Sequence, residues 1–448
     1  MKFRSRMTLL LVFIATFLIT APIVVLYTAG YRFNFENNRI VRTGLVYATT
    51  LPKGADIIID GDQRGETPGF VKNLIPREYQ ITLSKAGYHA WQKALPVNSH
   101  ETTFMEDVTL YLETDPEMII SANIVSAVVN PTLTKIAYLS SSASWLELWT
   151  YDISTADQSL LYRFSENNLT EIELTWSADG QRLLIKQTIG ATTTYSTIDQ
   201  TGGDTLELSS IAQATVLDAW WHPSDSLAVL YTTTKGTYIY RLSTQTLNQI
   251  YQEPRLATLM EGQAILIDTS GSTVSVFRYV NDSATLLAYL PSGDYSLLPA
   301  ADPLIMLKEN NHDQVVLIDT SRDSQPILLN VDALDAQWAT DGSGRLLYFN
   351  NFEVHVYDPT THSDTLLTRV GETISAAAWH PEGNSVLVIR ADTIEAIELD
   401  GRDQRNVFEL AHGNDIETIW VNQNGQEAYF VGEVDPDRGL FELDLQDR

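Results

Sequence analysis

The hydrophobic pattern of this chain has three regimes. From Met7 to Tyr27, "MTLLLVFIATFLITAPIVVLY" carries no charge and no polar face. Its 21 residues, at a helical rise of about 1.5 Å, reach roughly 31 Å, the thickness of a bilayer's hydrocarbon core. From Ala55 the period drops to two. In "ADIIID", Ala55, Ile57 and Ile59 fall on one face and Asp56, Ile58 and Asp60 on the other. In "YQITLS", Tyr79, Ile81 and Leu83 alternate with Gln80, Thr82 and Ser84. Asp60-Gly61 predicts a tight hairpin between strands, because glycine tolerates positive φ without steric cost. A further strand is expected at "VTLYL", with Val108, Leu110 and Leu112 together. Beyond Asp115, short apolar strands recur in sets.

The apolar run predicts a transmembrane signal anchor over residues 7–29. Lys2, Arg4 and Arg6 should hold residues 1–6 in the cytoplasm and send the rest of the chain across the membrane. So short a tail leaves little room for cytoplasmic signalling. Tyr27 and Tyr31 suit the far interface. A cleaved signal peptide is the alternative. Its apolar region is normally about 7–15 residues, and no clean Ala-x-Ala site follows here. No later segment is long and apolar enough to span again.

After a lead-in at 30–42, the strands make a compact all-β module over residues 43–113. Its acidic loop raises the question of a metal. An EF-hand loop needs glycine at its sixth position and a bidentate glutamate at its twelfth. Counted from Asp60, the sixth residue is Gly65 but the twelfth is Val71, so Asp60, Asp62 and Glu66 read as turn residues. The module carries Pro52, Gly54 and Ala55, then Asp60-Gly61, then Gly65, Thr67 and Pro68, with Tyr79, Gly87, Tyr88 and Trp91 beyond. In these positions it resembles the PEGA domain, and "GYRFNFENNRIVRTG" resembles the juxtamembrane lead-in of membrane-anchored bacterial members. The resemblance implies a small β-sandwich-like fold at a cell surface. One departure is "IPREYQI", where the family usually has glycine just before the tyrosine; Arg77-Glu78 implies a different turn.

The remainder is a repeat. Similar stretches begin at Val129, Trp176, Trp221, Trp338, Trp379 and Trp420, with spacings of 47, 45, 117, 41 and 41. The gap of 117 hides two unmarked copies, visible as the strand sets "QAILIDT", "TVSVFRY", "ATLLAYL" and "PLIMLKE", "QVVLIDT", "PILLN". Units of near forty residues with four short strands predict a β-propeller over residues 114–448, eight blades favoured and seven the alternative. The region resembles TolB-like and WD-type propellers. Its last unit supplies three strands, and "PEMIIS" at Pro116 to Ser121 is expected to supply the fourth and close the ring. The fold class is therefore all-β behind one N-terminal helix.

Charge narrows the partners. The chain has 448 residues and a net charge of −28, spread as +5 over residues 1–42, −3 over 43–113 and −30 beyond. That acidity repels phosphate backbones and argues against nucleic acid. With no cysteine, disulfides and thiolate chemistry are excluded. Among chemical motifs, His222 and His380 each follow a repeat tryptophan and precede a proline, while other repeats place Ser, Ala, Val or Asn there. They read as turn residues rather than metal ligands. His100-Glu101 lacks the second histidine of a zinc-protease helix, and no Gly-x-Ser-x-Gly, phosphate-loop or dinucleotide fingerprint occurs. Asn168 and Asn281 fit the glycosylation sequon, a pattern expected by chance. The repeat tryptophans read as blade packing.

No catalytic, cofactor or metal residue stands out, and no cofactor is expected. "SSSASWLELW" (Ser140 to Trp149) nominates Trp145 and Trp149 as binding residues if it crosses a propeller face. The expectation is a non-enzymatic protein of the bacterial cell membrane. It is held in the bilayer by its N-terminal helix and presents a propeller face to an envelope protein or cell-wall glycan. The competing class is an envelope hydrolase or lyase with carboxylates in the propeller channel.

Overall fold

The structure is a computed structural model. It describes residues 2–447 apart from 35–37, 143–144, 166–168, 224, 261–262, 281–282 and 435. The chain divides into two compact units: residues 1–113 with 397–408 and 446–448, and residues 114–396 with 409–445.

The first unit opens with helix α1 (Lys2–Thr28). Its segment Met7–Thr28 has a mean hydropathy of 2.8, and none of it is buried. A short hairpin follows, β1 (Tyr31–Asn34) against β2 (Arg39–Arg42). Then come β3 (Gly44–Leu51), β4 (Asp56–Ile59), β5 (Asp62–Glu66), β6 (Gly69–Leu74), β7 (Arg77–Ser84), β8 (Trp91–Val97) and β9 (Thr102–Thr109). They form a three-stranded sheet, β6-β3-β9, and a four-stranded sheet, β5-β4-β7-β8. The alternation read from sequence is the burial pattern found: Ala55, Ile57, Ile59, Tyr79, Ile81 and Leu83 are buried.

Asp60 and Gly61 have φ of 49° and 86°, the paired left-handed residues of a two-residue hairpin turn. The Asp60 carboxylate accepts from the Gln80 amide at 3.0 Å and from Arg77 Nη2 at 2.5 Å, which ties the turn to β7. Burial pushes this carboxyl up, but the Arg77 and Gln80 hydrogen bonds outweigh it and hold it below its ordinary value. Arg77, the departure from the family pattern, is thus the partner of the turn aspartate, and it also lies 3.9 Å over the Tyr79 ring. Asp62 pairs with Arg64 at 2.9 Å, and Asp56 accepts from Gln63. Asp56, Asp60 and Asp62 each serve a separate local contact.

The expected strand at Val108 to Leu112 is displaced: β9 ends at Thr109. Asp107 has φ of 51°, and the β3–β9 register shifts between Ala48 and Thr50. That extra residue shifts the alternation, and at and just beyond the strand end Thr109, Leu110 and Tyr111 are all buried in succession.

Within this unit, residues 397–408 lie on β8. Lys93 is wholly buried. Its Nζ sits 2.5 Å from Glu398 Oε1 and donates to the carbonyls of Asp400, Arg402 and Gln404 at 2.7, 2.8 and 2.9 Å. Trp91 Nε1 donates to Glu398 Oε2 at 2.6 Å, and the Asn406 amide donates to Glu398 Oε1 at 2.7 Å.

The second unit begins with β10 (Glu117–Ser121). Six four-stranded antiparallel sheets then follow in chain order, spanning residues 124–165, 169–207, 216–251, 256–291, 295–332 and 335–369, and a seventh four-stranded sheet spans 374–412, its residues 397–408 being those counted with the first unit. An eighth joins the strands Asn414–Val421, Glu427–Val434 and Asp437–Asp444 to β10, which pairs with the last of them. The two unmarked copies gain first strands at Leu256–Met260 and Tyr295–Leu298. Buried apolar clusters join sheet one to two (Leu139, Leu148 with Trp176, Leu183), two to three, four to five and five to six. Another joins sheet eight to sheet one, through Tyr429 and Val431 with Ile124 and Tyr138. First strands of successive sheets touch, as Ile124–Val129 does Leu169–Trp176 and Ile374–Trp379 does Asn414–Val421. Four-stranded sheets that follow in order, meet through their first strands and join last to first make a β-propeller.

Candidate functional site

A recurring turn follows the first strand in six of the eight sheets. A main-chain hydrogen bond closes it from Asn130 to Lys135, Ser177 to Arg182, His222 to Ala228, Ala339 to Arg345, His380 to Ser385 and Asn422 to Glu427. This sets Asn422, not Val421, as the counterpart of His380. Val421 takes the tryptophan position, so the last repeat is offset by one residue from the sequence alignment. His222 and His380 are buried turn residues at 6% and 1% exposure.

The His380 ring is held in one neutral tautomer. Nδ1 accepts from the Glu382 amide at 3.4 Å, and Nε2 donates to the Gly425 carbonyl in the next turn at 3.2 Å. Burial pushes its pKa down to about 4. Protons therefore bind the unfolded chain in preference between about pH 6.5 and pH 4. The stability linked to this ring is complete above that window, falls as pH drops through it, and is lost below it. His380→Asn, the residue that neighbouring turns use, should remove roughly 3 kcal/mol of acid sensitivity. Urea unfolding of both proteins at pH 7.5 and pH 4.5 measures this; parallel losses in the two would refute it.

The tryptophans serve the same joints. Trp176, Trp221, Trp338 and Trp379 each donate an indole N–H to a carbonyl of the preceding sheet: Val128, Thr175, Pro299 and Gln337, at 2.8–3.1 Å. An indole committed to packing and a hydrogen bond is a blade joint.

The described residues of the stretch from Ser140 to Trp149 lie mostly in strands. Ser140 and Ser141 end the strand Lys135–Ser141, and Trp145 and Trp149 lie in the strand Trp145–Asp152. Runs of serine suggested a connection, but cross-strand pairing outweighs their weak strand preference. Trp149 packs against a buried cluster and donates to Glu147 at 3.1 Å; Trp145 is 47% exposed. Asn168 and Asn281 lie outside the described residues.

Carboxylates do stand on the first strands. Glu173 pairs with Lys186 at 2.7 Å. Asp218 accepts from Tyr195 Oη at 3.3 Å, and Glu417 accepts from Arg438 at 3.2 Å. Burial pushes Asp218 above the ordinary carboxylate range, with the like charge of Asp294 acting the same way; burial also raises Asp335. Yet Asp218 is open to water. A separate trio, Glu427, Glu442 and Asp444, gathers oxygens within 4.8 Å on sheet eight, where Tyr429 donates to Glu442 at 2.9 Å.

Sequence reasoning missed an aromatic row on the three-stranded sheet of the first unit. Tyr47 of β3 lies opposite Phe70 of β6 and Phe104 of β9, with ring centroids 4.4 and 6.0 Å away. Phe70 and Phe104 are 56% and 47% exposed. The signal was present: each phenylalanine occupies the outward position of its strand, where a polar residue is expected.

Residues 43–112 match the PEGA domain family. No curated protein matches the chain. Among solved structures the chain is similar to the Dos1 propeller, at 15% identity over 74% of this chain and 94% of that one, with a TM-score of 0.47. It is also similar to the Myceliophteria thermophila Cps50 (Swd1) β-propeller domain, at 12% identity over 75% and 100%, TM-score 0.41. A third is an oligogalacturonate lyase in complex with manganese, at 13% identity over 75% and 99%, TM-score 0.40.

Proposed function

We propose that this chain is a single-pass binding or scaffold protein of the bacterial cell envelope. Residues 1–6 are cytoplasmic, the PEGA module lies beside the bilayer, and an eight-bladed propeller presents the contact surface. The observation that carries the reading is Met7–Thr28, 22 residues of mean hydropathy 2.8 that the rest of the chain leaves uncovered. Hydrocarbon is the medium that suits such a helix. Local pairing of the first-strand acids supports binding over catalysis, because a catalytic pair must share one substrate. Partners of two kinds fit the rigid faces: another envelope protein or a cell-wall glycan.

An envelope hydrolase or lyase is the second reading, favoured by the raised Asp218 carboxyl beside Tyr195. The test is in-cell crosslinking of the full chain against a deletion of residues 114–448, with both membrane fractions washed in carbonate. Retention of both proteins, with crosslinks lost on deletion, is expected. Unchanged crosslinks would sink the scaffold reading, and release by carbonate would sink the anchor.

A further inference from the structure

We infer that the hairpin β1–β2 is a binding site for anionic phospholipid headgroups; the inference rests on the reading of α1 as a membrane anchor. β1 starts three residues beyond α1, and four residues of strand extend only about 13 Å. A helix that crosses the hydrocarbon core therefore leaves this hairpin at headgroup depth.

Its composition suits that depth. Tyr31 pairs with Arg42 and Phe33 with Ile40, so the alternation puts all four on one face. Phe33 and Ile40 are 45% and 60% exposed, an apolar pair shown to solvent in so small an element. Arg42 lies 5.2 Å over the Tyr31 ring. Arg39, opposite Asn34, is exposed at the start of β2. An aromatic and aliphatic wedge flanked by guanidinium groups is the pattern of an interfacial segment. Arginine suits phosphate in particular, because its planar fork donates in pairs.

Charge and anchorage point the same way. Arg32, Arg39 and Arg42 fall within twelve residues of a chain whose net charge is −28. Among the described residues neither Arg39 nor Arg42 enters an ion pair. Segments carried across a membrane are ordinarily poor in arginine, so three together need a partner on that side. Arg32 has one already. Its Nη1 donates to the Tyr27 carbonyl at 2.7 Å and its guanidinium lies 3.5 Å over the Tyr27 ring, where it caps the negative end of the helix. Thr43 completes the brace by donating from its amide and its Oγ1 to the Gly30 carbonyl, each at 2.9 Å. The hairpin is thus fixed to the helix end rather than tethered. Arg39 and Arg42 are the phosphate ligands, and Phe33 and Ile40 are the wedge.

The chain has no cysteine, so single probes can be placed cleanly. The full chain carrying Ile40→Cys or Phe17→Cys, labelled with an environment-sensitive dye, is reconstituted in phosphatidylcholine vesicles with or without phosphatidylglycerol. Quenching by spin-labelled lipids is read in each. The dye at position 17 should be quenched by deep acyl labels in both membranes. The dye at position 40 should be quenched several-fold more by headgroup labels when phosphatidylglycerol is present, and Arg39→Gln with Arg42→Gln should abolish that increment. Thermal melts matching the parent chain exclude misfolding. Water-like emission at position 40 beside normal quenching at 17 overturns the headgroup site alone. Equal quenching with and without anionic lipid overturns the role of the arginines. Loss of quenching at 17 overturns the anchor and the inference with it.

Discussion

Lys93→Met should lower the stability of the first unit by about 3–5 kcal/mol, although methionine fills a similar volume. The ammonium group is wholly buried 2.5 Å from Glu398 Oε1, and Glu398 is itself only 9% exposed. Removing it leaves one buried carboxylate uncompensated and the carbonyls of Asp400, Arg402 and Gln404 without their shared donor. Unsatisfied buried acceptors cost about 1–3 kcal/mol each before relaxation. Residues 397–408 should then be cut by protease under conditions where the parent chain resists. Adding Glu398→Gln should restore part of the loss, because the amide keeps an acceptor for Trp91 and Asn406 while removing the stranded charge. Urea unfolding of the four proteins gives the coupling energy. Additive effects would mean that Lys93 acts through shape alone.

Gly425→Val carries the next largest effect, about 2–5 kcal/mol in the second unit. Gly425 has φ of 75°, a region where a β-branched residue is strained. A Cβ there would also lie 2.8 Å from His380 Cε1 and 2.9 Å from Nε2, so the ring must leave its pocket and lose the Gly425 carbonyl. Gly180 meets Asn130 in the same way at the joint between the first two sheets, with a Cβ 2.6 Å from Nδ2. Combining Gly425→Val with His380→Asn should recover the steric part of the loss and leave the backbone part. A midpoint within error of the parent chain for Gly425→Val alone would disprove the stacked-turn account.

Much of the architecture was legible because it is periodic. Alternation placed Ile57, Ile59, Ile81 and Leu83 in a core, and Asp60-Gly61 announced its own turn. The forty-residue repeat gave the four-strand sheets, including the copies without a tryptophan. What escaped depends on a single residue or on distance. Positive φ at Asp107 shifted the last strand of the first unit, and no local pattern encodes it. Lys93 and Glu398 are 305 positions apart, so their union cannot be read from neighbours. Even so, "WQKALPV" alternates with Lys93 on the same side as Trp91, Leu95 and Val97, and an inward lysine demands a partner. Trp145 and Trp149 were nominated on composition, and composition did not separate a strand from a loop. The acids of the first strands could be counted from sequence, but which of them face one another is a property of the closed ring.

That ring imposes an order on synthesis. β10 is made early, yet its partner strand Asp437–Asp444 lies more than 300 residues later. At about 5–20 residues per second, β10 waits roughly 15–60 s without a partner strand. The first sheet waits as long for the neighbour that covers Ile124 and Tyr138. During that interval the nascent propeller exposes the two surfaces that will later seal it, and either can be taken by a second copy. Whatever escorts this chain while it is being made must keep those two surfaces apart from other copies until the last strand arrives.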